Sequence, residues 1–213
     1  MKSMARQNVR GNNGPDRKEL PNFKLLGALS FTDSALVLGA AQHILAEVGE
    51  DYNDINNETY RVAQDCPLKT YFPPTYRQVL IQTPITDGVA EEDYRCIPAL
   101  DGKSRITIYH VLKIFGLNDF YRARLAILPP GGVLDWHIDT NTSVSCRVQI
   151  PIMGDCIWEI RRKKEVEARV LTPFQVSFTN TGYAHRVSNP HPTEDRVCLT
   201  IGCHYDAIKK WFE

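Results

Sequence analysis

The second half of the chain is a succession of short β-type runs separated by turn signals, and this pattern constrains the fold more than any other feature. After Phe120, six runs that are apolar or that alternate between apolar and polar residues follow one another at close spacing. Turn-forming Gly, Pro, Asn and Asp residues lie between the runs, as in the Pro-Pro-Gly-Gly sequence at 129–132. Many short strands at even spacing predict an all-β sandwich or barrel. The runs cover residues 122–128, 144–152, 156–161, 166–171, 175–178 and 196–203.

The first 120 residues have a different character. Apolar residues recur at helical spacing over 33–48, after a Thr-Asp-Ser sequence that can cap a helix, and this predicts a helix. A second helix is predicted over 106–115, ended by Gly116, and a strand over 76–83. The acidic, Asn-rich stretch 50–57 is typical of a loop. The fold class is therefore mainly β with a helical N-terminal region.

The chain divides into an arm and one domain. Residues 1–20 are polar and rich in turn formers, so we expect a flexible N-terminal arm. Residues 21–213 then form a single domain, in which 21–120 serve as a helical and β cap and support. The barrel core spans 121–206, and a short C-terminal helix spans 206–213.

Composition excludes several classes of protein. The chain of 213 residues has 25 Lys+Arg and 25 Asp+Glu, which argues against a strongly basic nucleic-acid binder. No stretch approaches the about 18 consecutive apolar residues of a membrane helix, and the polar N-terminus lacks the apolar core of a secretory signal, so we expect a cytoplasmic protein without a membrane partner. The six cysteines form no C-x-x-C pair and lie mostly in apolar runs, which favours reduced core thiols.

The sequence His137-Ile138-Asp139 is a candidate metal-binding motif. Residues two apart in an extended segment point to the same side, so His137 and Asp139 can face one ion while Ile138 faces away. A second imidazole can come from His185, expected at the turn that follows the strand ending at 178. Two histidines and a carboxylate on one face of a metal are typical of non-haem Fe(II) oxygenases. Taken alone the motif is weak, because six histidines make chance matches common, and surface or core histidines are the alternative.

Two arginines add a second signal. Period two places Arg147 on one strand face with Gln149, and Arg196 on one face of the last strand with Thr200. If these faces line the barrel interior, two permanent cations lie beside the metal, where they can bind carboxylates in a bidentate manner. The alternative is that they are the solvated outer faces of the strands.

The motifs occur together in a recognisable order. Pro-Gly-Gly at 130–132 is followed by H-x-D at 137–139, R-x-x-I-P at 147–151, F-x-N at 178–180, His185 and Arg196. This block, which covers roughly residues 121–206, resembles the aspartyl/asparaginyl β-hydroxylase family of Fe(II)- and 2-oxoglutarate-dependent oxygenases. The resemblance implies a double-stranded β-helix, a jelly-roll barrel related to cupins.

The resemblance also implies roles for the residues that match. Fe(II) is expected at His137, Asp139 and His185, which makes these three the catalytic residues and the metal ligands. The cosubstrate 2-oxoglutarate is expected to chelate the metal, with its distal carboxylate on Arg196 and its metal-proximal carboxylate assisted by Arg147. Gln149 stands where the animal members have a histidine, and it can still hydrogen-bond a carboxylate. With O₂, this set implies a dioxygenase that releases succinate and CO₂.

The substrate is expected to be an amino acid, a small metabolite or a peptidyl Asp, Asn or Pro side chain. The complete H-x-D follows the bacterial amino-acid hydroxylases of the family, which favours a free amino acid or small molecule. Ala126 stands where the animal enzymes have a serine near the distal carboxylate, and Arg124 is a candidate substitute. Trp136 and Arg77 are candidate substrate contacts, with core packing as the alternative for Trp136.

Two other functions fit the residues. A cupin-like isomerase or hydrolase would use Zn²⁺ or Mn²⁺ as a Lewis acid at the same three ligands. Such a site has no need of two arginines that bind a dicarboxylate. A non-catalytic ligand-binding barrel is the third possibility, and the complete H-x-D with a distant histidine argues against it.

Overall fold

The structure, a computed structural model, describes residues 14–48, 76–81, 102–139 and 141–213. Most of the predicted arm, residues 1–13, lies outside the described residues, as does the predicted loop at 50–57. Cys66 and Cys96 also lie outside them. The other four cysteines are buried and free, as expected of reduced core thiols.

Two helices and ten strands are present in the described residues. The helices are α1 (Phe31–Val48) and α2 (Lys103–Phe115). The strands are β1 (Phe23–Ala28), β2 (Arg77–Leu80), β3 (Phe120–Leu128), β4 (Val133–His137), β5 (Cys146–Met153), β6 (Cys156–Arg162), β7 (Glu165–Leu171), β8 (Gln175–Thr179), β9 (Ala184–Ser188) and β10 (Arg196–Cys203). The mainly β class with a helical N-terminal region is confirmed.

The strands form two antiparallel sheets. The larger sheet has six strands in the order β1-β8-β5-β10-β3-β2, and the smaller has four in the order β4-β9-β6-β7. Side chains join the inner faces of the two sheets: Arg147 on β5 reaches Asp139 beyond β4, and Arg196 on β10 touches Cys156 on β6. The space between the sheets is where the candidate site residues meet.

The helices cover the outer face of the larger sheet. Val148 on β5 and Leu199 on β10 pack in one core with Ile44 of α1 and Ile108 of α2, all of them less than 1 % exposed. Because this sheet is covered on both faces, every residue of β10 is buried. The period-two prediction for β5 and β10 is therefore confirmed, with apolar residues against the helices and polar residues facing the smaller sheet.

Local hydrogen bonds set the helix ends. Ser30 Oγ accepts from the backbone N–H of Asp33 at 3.1 Å and donates to the Asp33 carboxylate at 2.6 Å, so α1 begins at Phe31, two residues before the predicted start. Gly116 ends α2 as predicted, with a φ of 103° that favours glycine, and its N–H donates to the Lys113 carbonyl at 3.0 Å.

Three features differ from the sequence-based expectation. The C-terminal segment forms two short 3₁₀ turns, Tyr205–Ala207 and Lys209–Trp211, instead of a helix, because the intervening Ile208 is fully buried in the core. The segment 21–120 supplies two strands of the larger sheet, since β1 pairs with β8 and β2 with β3. Residues 14–20 of the predicted arm are hydrogen-bonded to the segments beside the two sheets: Asn180 donates to the Arg17 carbonyl at 2.9 Å, and Thr142 donates to the Pro15 carbonyl at 3.1 Å.

No helix among the described residues combines the length and the hydropathy that a membrane crossing requires.

Candidate metal centre

The structure brings the three predicted ligands together at one end of the smaller sheet. His137 ends β4 and lies directly opposite His185 of the neighbouring antiparallel strand β9, with 4.1 Å between the ring centroids. Asp139 follows β4, and its backbone N–H donates to the Thr181 carbonyl at 3.0 Å. One potential ligand atom from each of the three residues lies within 4.8 Å of the other two. In the described part of the chain this is the one such group of His, Cys, Asp and Glu side chains.

His185 does not lie in a turn, as the sequence predicted, but in β9, a strand that the prediction missed. Its inner-face neighbours are Val187 on the same strand and Ile160 directly opposite on β6. The side chain is 1 % exposed. The sheet therefore holds this ligand on both sides, which orients it more firmly than a turn would.

A β-bulge aims His137 into the site. Leu134 pairs with Val187 and His137 pairs with His185, so β4 has one more residue between these pairs than β9 has. In a regular strand Trp136 would share the inner face with Leu134, but the extra residue turns His137 inward instead. The bulge thus decides which of the two neighbouring side chains becomes the ligand.

Both imidazoles use Nδ1 to bind the backbone. His137 Nδ1 lies 2.6 Å from the Asp135 carbonyl, and His185 Nδ1 lies 3.0 Å from the Tyr183 carbonyl. A carbonyl oxygen only accepts, so each Nδ1 carries a proton and donates it. The Nε2 lone pairs are then left to bind a metal, which is the usual way in which hydrogen bonds behind a ligand fix its tautomer.

Electrostatics keep Asp139 and His185 in the protonation states that a metal requires. Burial lowers the pKa of His185 to about 4, although the Asp139 carboxylate opposes this shift. Burial raises the pKa of Asp139, but the charges of His185, Arg147 and His137 outweigh it and hold that pKa well below its usual range. At neutral pH the site therefore presents an ionised carboxylate beside a neutral His185 imidazole.

Arg147 is buried next to the ligands, on the larger sheet. Its side chain is 3 % exposed, its Nε donates to Asp139 Oδ2 at 3.4 Å, and one of its terminal nitrogens donates to Ser145 Oγ at 2.9 Å. The alternative of a solvated outer face is therefore wrong for Arg147. A permanent cation lies beside Asp139, one of the three candidate ligands.

A row of polar residues crosses the larger sheet beyond Arg147. Direct cross-strand pairs place Ser177, Gln149, Thr200 and Arg124 side by side on β8, β5, β10 and β3. Thr200 Oγ1 donates to Gln149 Oε1 at 2.8 Å, which leaves the amide N–H₂ of Gln149 as its donor for a bound carboxylate. Arg124 is 8 % exposed and belongs to this row, and its charge helps to lower the pKa of Asp139. Its role as a substitute at the distal carboxylate stays a prediction.

Arg196 is buried at the other end of the inner face. Its side chain is 2 % exposed, and its Nε donates to Cys156 Sγ on the smaller sheet. Burial raises the pKa of Cys156 well above its usual range, so this neighbour is a neutral thiol. No ion pair between Arg196 and a carboxylate occurs within the described residues. The outer-face alternative is wrong for Arg196 as well.

The two candidate substrate contacts lie outside the ligand group. The Trp136 ring lies under the guanidinium of Arg161, at 3.9 Å, and near that of Arg186, at 5.1 Å. Arg186 follows His185 in β9 and so points to the opposite face. Arg77 pairs with Asp195 at 3.0 Å. Arg77 also lies opposite Ile127 of the helix-facing core, whereas its neighbour Gln78 lies opposite Ala126 on the inner face.

Sequence reasoning missed Trp158, which supports a metal ligand. Its ring stacks on His185 with 5.5 Å between centroids and 19° between planes, and the residue is 5 % exposed. It belongs to an apolar wall of the smaller sheet that includes Leu134, Leu171 and Val187. The alternation of β6 indicates that Trp158 points inward, but only the pairing of β6 with β9 shows that it meets His185.

Comparison with known proteins supports the fold. No protein-family profile matches this chain, and no curated protein sequence matches it. The non-heme monooxygenase ThoJ in its apo form has a similar structure, with a TM-score of 0.51 at 14 % identity over 87 % of this chain and 75 % of that one. Its nickel complex gives a TM-score of 0.50 at 15 % identity over 87 % and 74 %. The fold of this chain is cupin-like.

Oxalate oxidase bound to glycolate is a more distant structural match, with a TM-score of 0.38 at 11 % identity over 62 % of this chain and 53 % of that one. The two ThoJ structures support the jelly-roll fold that the resemblance implied, at the level of a cupin-like fold. Membership of the aspartyl/asparaginyl β-hydroxylase family stays a prediction.

Proposed function

We propose that this chain is an Fe(II)- and 2-oxoglutarate-dependent dioxygenase that hydroxylates an amino acid, a small metabolite or a peptidyl Asp, Asn or Pro side chain, and releases succinate and CO₂. One observation carries the proposal. His137, Asp139 and His185 lie together with Arg147 buried beside Asp139, and Arg196 is almost fully buried farther along the same inner face of the larger sheet.

The residues present fit Fe(II). The two Nε2 atoms and the Asp139 carboxylate form a two-histidine, one-carboxylate donor set that suits non-haem iron and leaves other coordination positions open. Iron bound there would supply the oxidising chemistry with O₂. The chain's own contribution is to hold the imidazole tautomers through the Asp135 and Tyr183 carbonyls and to keep Asp139 ionised.

The inner face also fits a dianion. Arg147 and Arg196 are each less than 4 % exposed, and the described hydrogen-bond partner of Arg196 is the neutral thiol of Cys156. A buried cation whose charge is not balanced is unfavourable by several kcal/mol, so the environment of Arg196 favours a ligand that brings negative charge. 2-Oxoglutarate carries two carboxylates, and each can accept a bidentate pair from a guanidinium.

The two arginines would take different ends of the cosubstrate. Arg147 contacts a metal ligand, so it would assist the carboxylate that chelates the metal. Arg196 contacts Cys156 at the far end and would bind the distal carboxylate, with Gln149 and Arg124 between the two ends. On the smaller sheet, the apolar cluster around Trp158 packs beside His185 and would limit access of water from that side.

Anaerobic titration of Fe(II)-loaded protein with 2-oxoglutarate tests the proposal, because a 2-keto acid chelated to Fe(II) gives a visible charge-transfer band. Admission of O₂ should then release succinate, even slowly and without a prime substrate. His137→Ala and His185→Ala should abolish both signals. His191→Ala is a matched control, because His191 is 43 % exposed and pairs with Glu194 away from the site.

Full succinate release by both ligand variants would overturn the proposal. Metal binding without any 2-oxoglutarate binding in calorimetry would also overturn it, and would favour a cupin-like Lewis-acid enzyme at the same three ligands. Failure to bind any divalent metal would favour a non-catalytic barrel.

A further inference from the structure

We infer that β7 is a docking edge for a second copy of this chain, which pairs with it antiparallel about Ala168 and joins the two four-stranded sheets. This edge contains none of the candidate site residues, and the inference does not depend on the proposed activity.

Among the described strands, β7 lies at the end of its sheet. β6 is the one described strand that pairs with β7, which is last in the order β4-β9-β6-β7. Residues 165–170 are all exposed, and of the whole strand only Leu171 is buried. The backbone N–H and C=O groups on the outer side of such an edge offer a template for another strand.

Both faces of β7 carry residues that a partner strand can use. Val166, Ala168 and Val170 share one face, and the two valines are 48 % and 51 % exposed. Glu167 and Arg169 share the other face, opposite Ile160 and Trp158 of β6. Exposed β-branched residues on an edge strand lose solvent contact when a second strand pairs with that edge.

The sequence of β7 is complementary to itself. Across the two-fold axis of an antiparallel pair centred on Ala168, Val166 lies opposite Val170 of the second copy. On the other face Glu167 lies opposite Arg169 of the second copy. Each pair occurs twice, as the symmetry of an isologous dimer requires. Apolar and opposite-charge pairs directly across two strands stabilise their pairing.

The charges also select this register over its neighbours. A shift by two residues in one direction places Glu167 opposite Glu167 of the second copy, and a shift in the other direction places Arg169 opposite Arg169. A parallel in-register pair places both like-charge pairs opposite each other. Like charges directly opposite are destabilising, so the pattern favours the register centred on Ala168.

The contacts within one chain do not prevent this pairing. Glu167 accepts from Asn22 at 2.8 Å, and its pair with Arg169 on the same strand is 3.5 Å long and about half exposed. An exposed ion pair of this kind contributes little to stability. Its replacement by ion pairs between two copies therefore keeps both charges paired and costs little free energy. A strand of 7 residues buries less surface than a standard interface, so we expect a weak, concentration-dependent dimer.

Sedimentation velocity of the full-length chain over a range from about 1 to about 500 µM tests the inference, because weak interfaces are populated in this range. Wild type should shift from monomer towards dimer. Glu167→Arg and Arg169→Glu should each raise the dissociation constant about tenfold or more, since each places like charges opposite. The double variant E167R/R169E restores opposite charges and should regain the wild-type constant.

The double variant separates charge pairing from damage to the fold, because a substitution that merely damaged β7 would not be reversed by a second one. Circular dichroism should show unchanged folding, since both side chains are about half exposed. A wild-type monomer at every concentration would overturn the inference. A dimer that both single variants leave intact, or a double variant that stays monomeric, would do so equally.

Discussion

Substitution of Arg196 by methionine should stabilise the protein without ligand and at the same time remove its response to 2-oxoglutarate. The guanidinium is 2 % exposed and donates to the Cys156 thiol. Burial raises the pKa of the neighbouring Cys198, but the hydrogen bond with Cys156 and the charge of Arg196 lower it to about 7, so the comparison is made below pH 7, where this thiol is also neutral. Desolvation of a buried ion without full compensation is unfavourable by several kcal/mol. Methionine fills a similar volume without a charge, so we expect a gain of about 1 to 3 kcal/mol in the free energy of unfolding.

The same change removes the proposed anchor of the distal carboxylate. Two charge-assisted hydrogen bonds to a carboxylate are worth about 3 kcal/mol or more together, which corresponds to a loss of affinity for 2-oxoglutarate of about a hundredfold or more. The substitution should thus raise stability and lower affinity for 2-oxoglutarate, and this combination makes the prediction specific. If Arg196 served stability instead, its substitution would lower the stability of the protein.

Thermal unfolding with and without 2-oxoglutarate measures both effects under anaerobic conditions. For a chain of this size, 1 kcal/mol corresponds to a shift in Tm of about 2–4 °C. Arg196→Met should unfold at a higher temperature than wild type, and added 2-oxoglutarate should no longer raise its Tm. Arg77→Met is the matched control, because Arg77 is 27 % exposed and pairs with Asp195 outside the site. A destabilised Arg196→Met that retains the wild-type response to 2-oxoglutarate would refute the reasoning.

Three further predictions concern His185, Trp158 and Thr200. The buried His185 has a pKa of about 4, against a value near 6.5 in the unfolded chain. As pH falls from 7 to 4, the free energy of unfolding of the metal-free wild type should therefore fall by about 3 kcal/mol relative to that of His185→Gln. Equal pH profiles of the two proteins in urea unfolding would contradict this. Trp158→Phe should keep its stack on His185 and nearly all metal affinity in calorimetry, whereas Trp158→Ala should weaken metal binding and lower stability by about 3–5 kcal/mol; equal metal affinities would count against the stack. Thr200→Val, which removes the bond that holds Gln149, should raise the KM for 2-oxoglutarate about tenfold, and Thr200→Ser should restore it; an unchanged KM in Thr200→Val would show that the bond does not position Gln149.

Features that depend on local pattern were predictable from the sequence. The two faces of β5 and β10 followed from period two, since one face packs on helices and the other does not. The end of α2 was predictable from Gly116, because glycine readily adopts the positive φ that ends a helix. The proximity of His137 and Asp139 was also predictable, because residues two apart in an extended segment point to the same side; their role as metal ligands stays a prediction.

Features that depend on pairing between distant segments were not predictable. β9 has the sequence Ala-His-Arg-Val-Ser, with no apolar run to mark it as a strand, and its partners β4 and β6 define it. The side on which Trp136 lies depends on a bulge in β4 that shows only against β9. The contact between Trp158 and His185 likewise joins two strands that are separate in the chain.

The pairing of β1 with β8 has a consequence for biosynthesis. β1 covers Phe23–Ala28 and finds its partner in Gln175–Thr179, near the other end of the chain. During synthesis, β1 therefore leaves the ribosome long before its pairing partner β8. Contacts of such long sequence separation form slowly, because the entropy of closing the loop comes before any gain from the contact. The six-stranded sheet can be completed only after β10 has been synthesised, so α1 lacks this sheet as a packing partner until then.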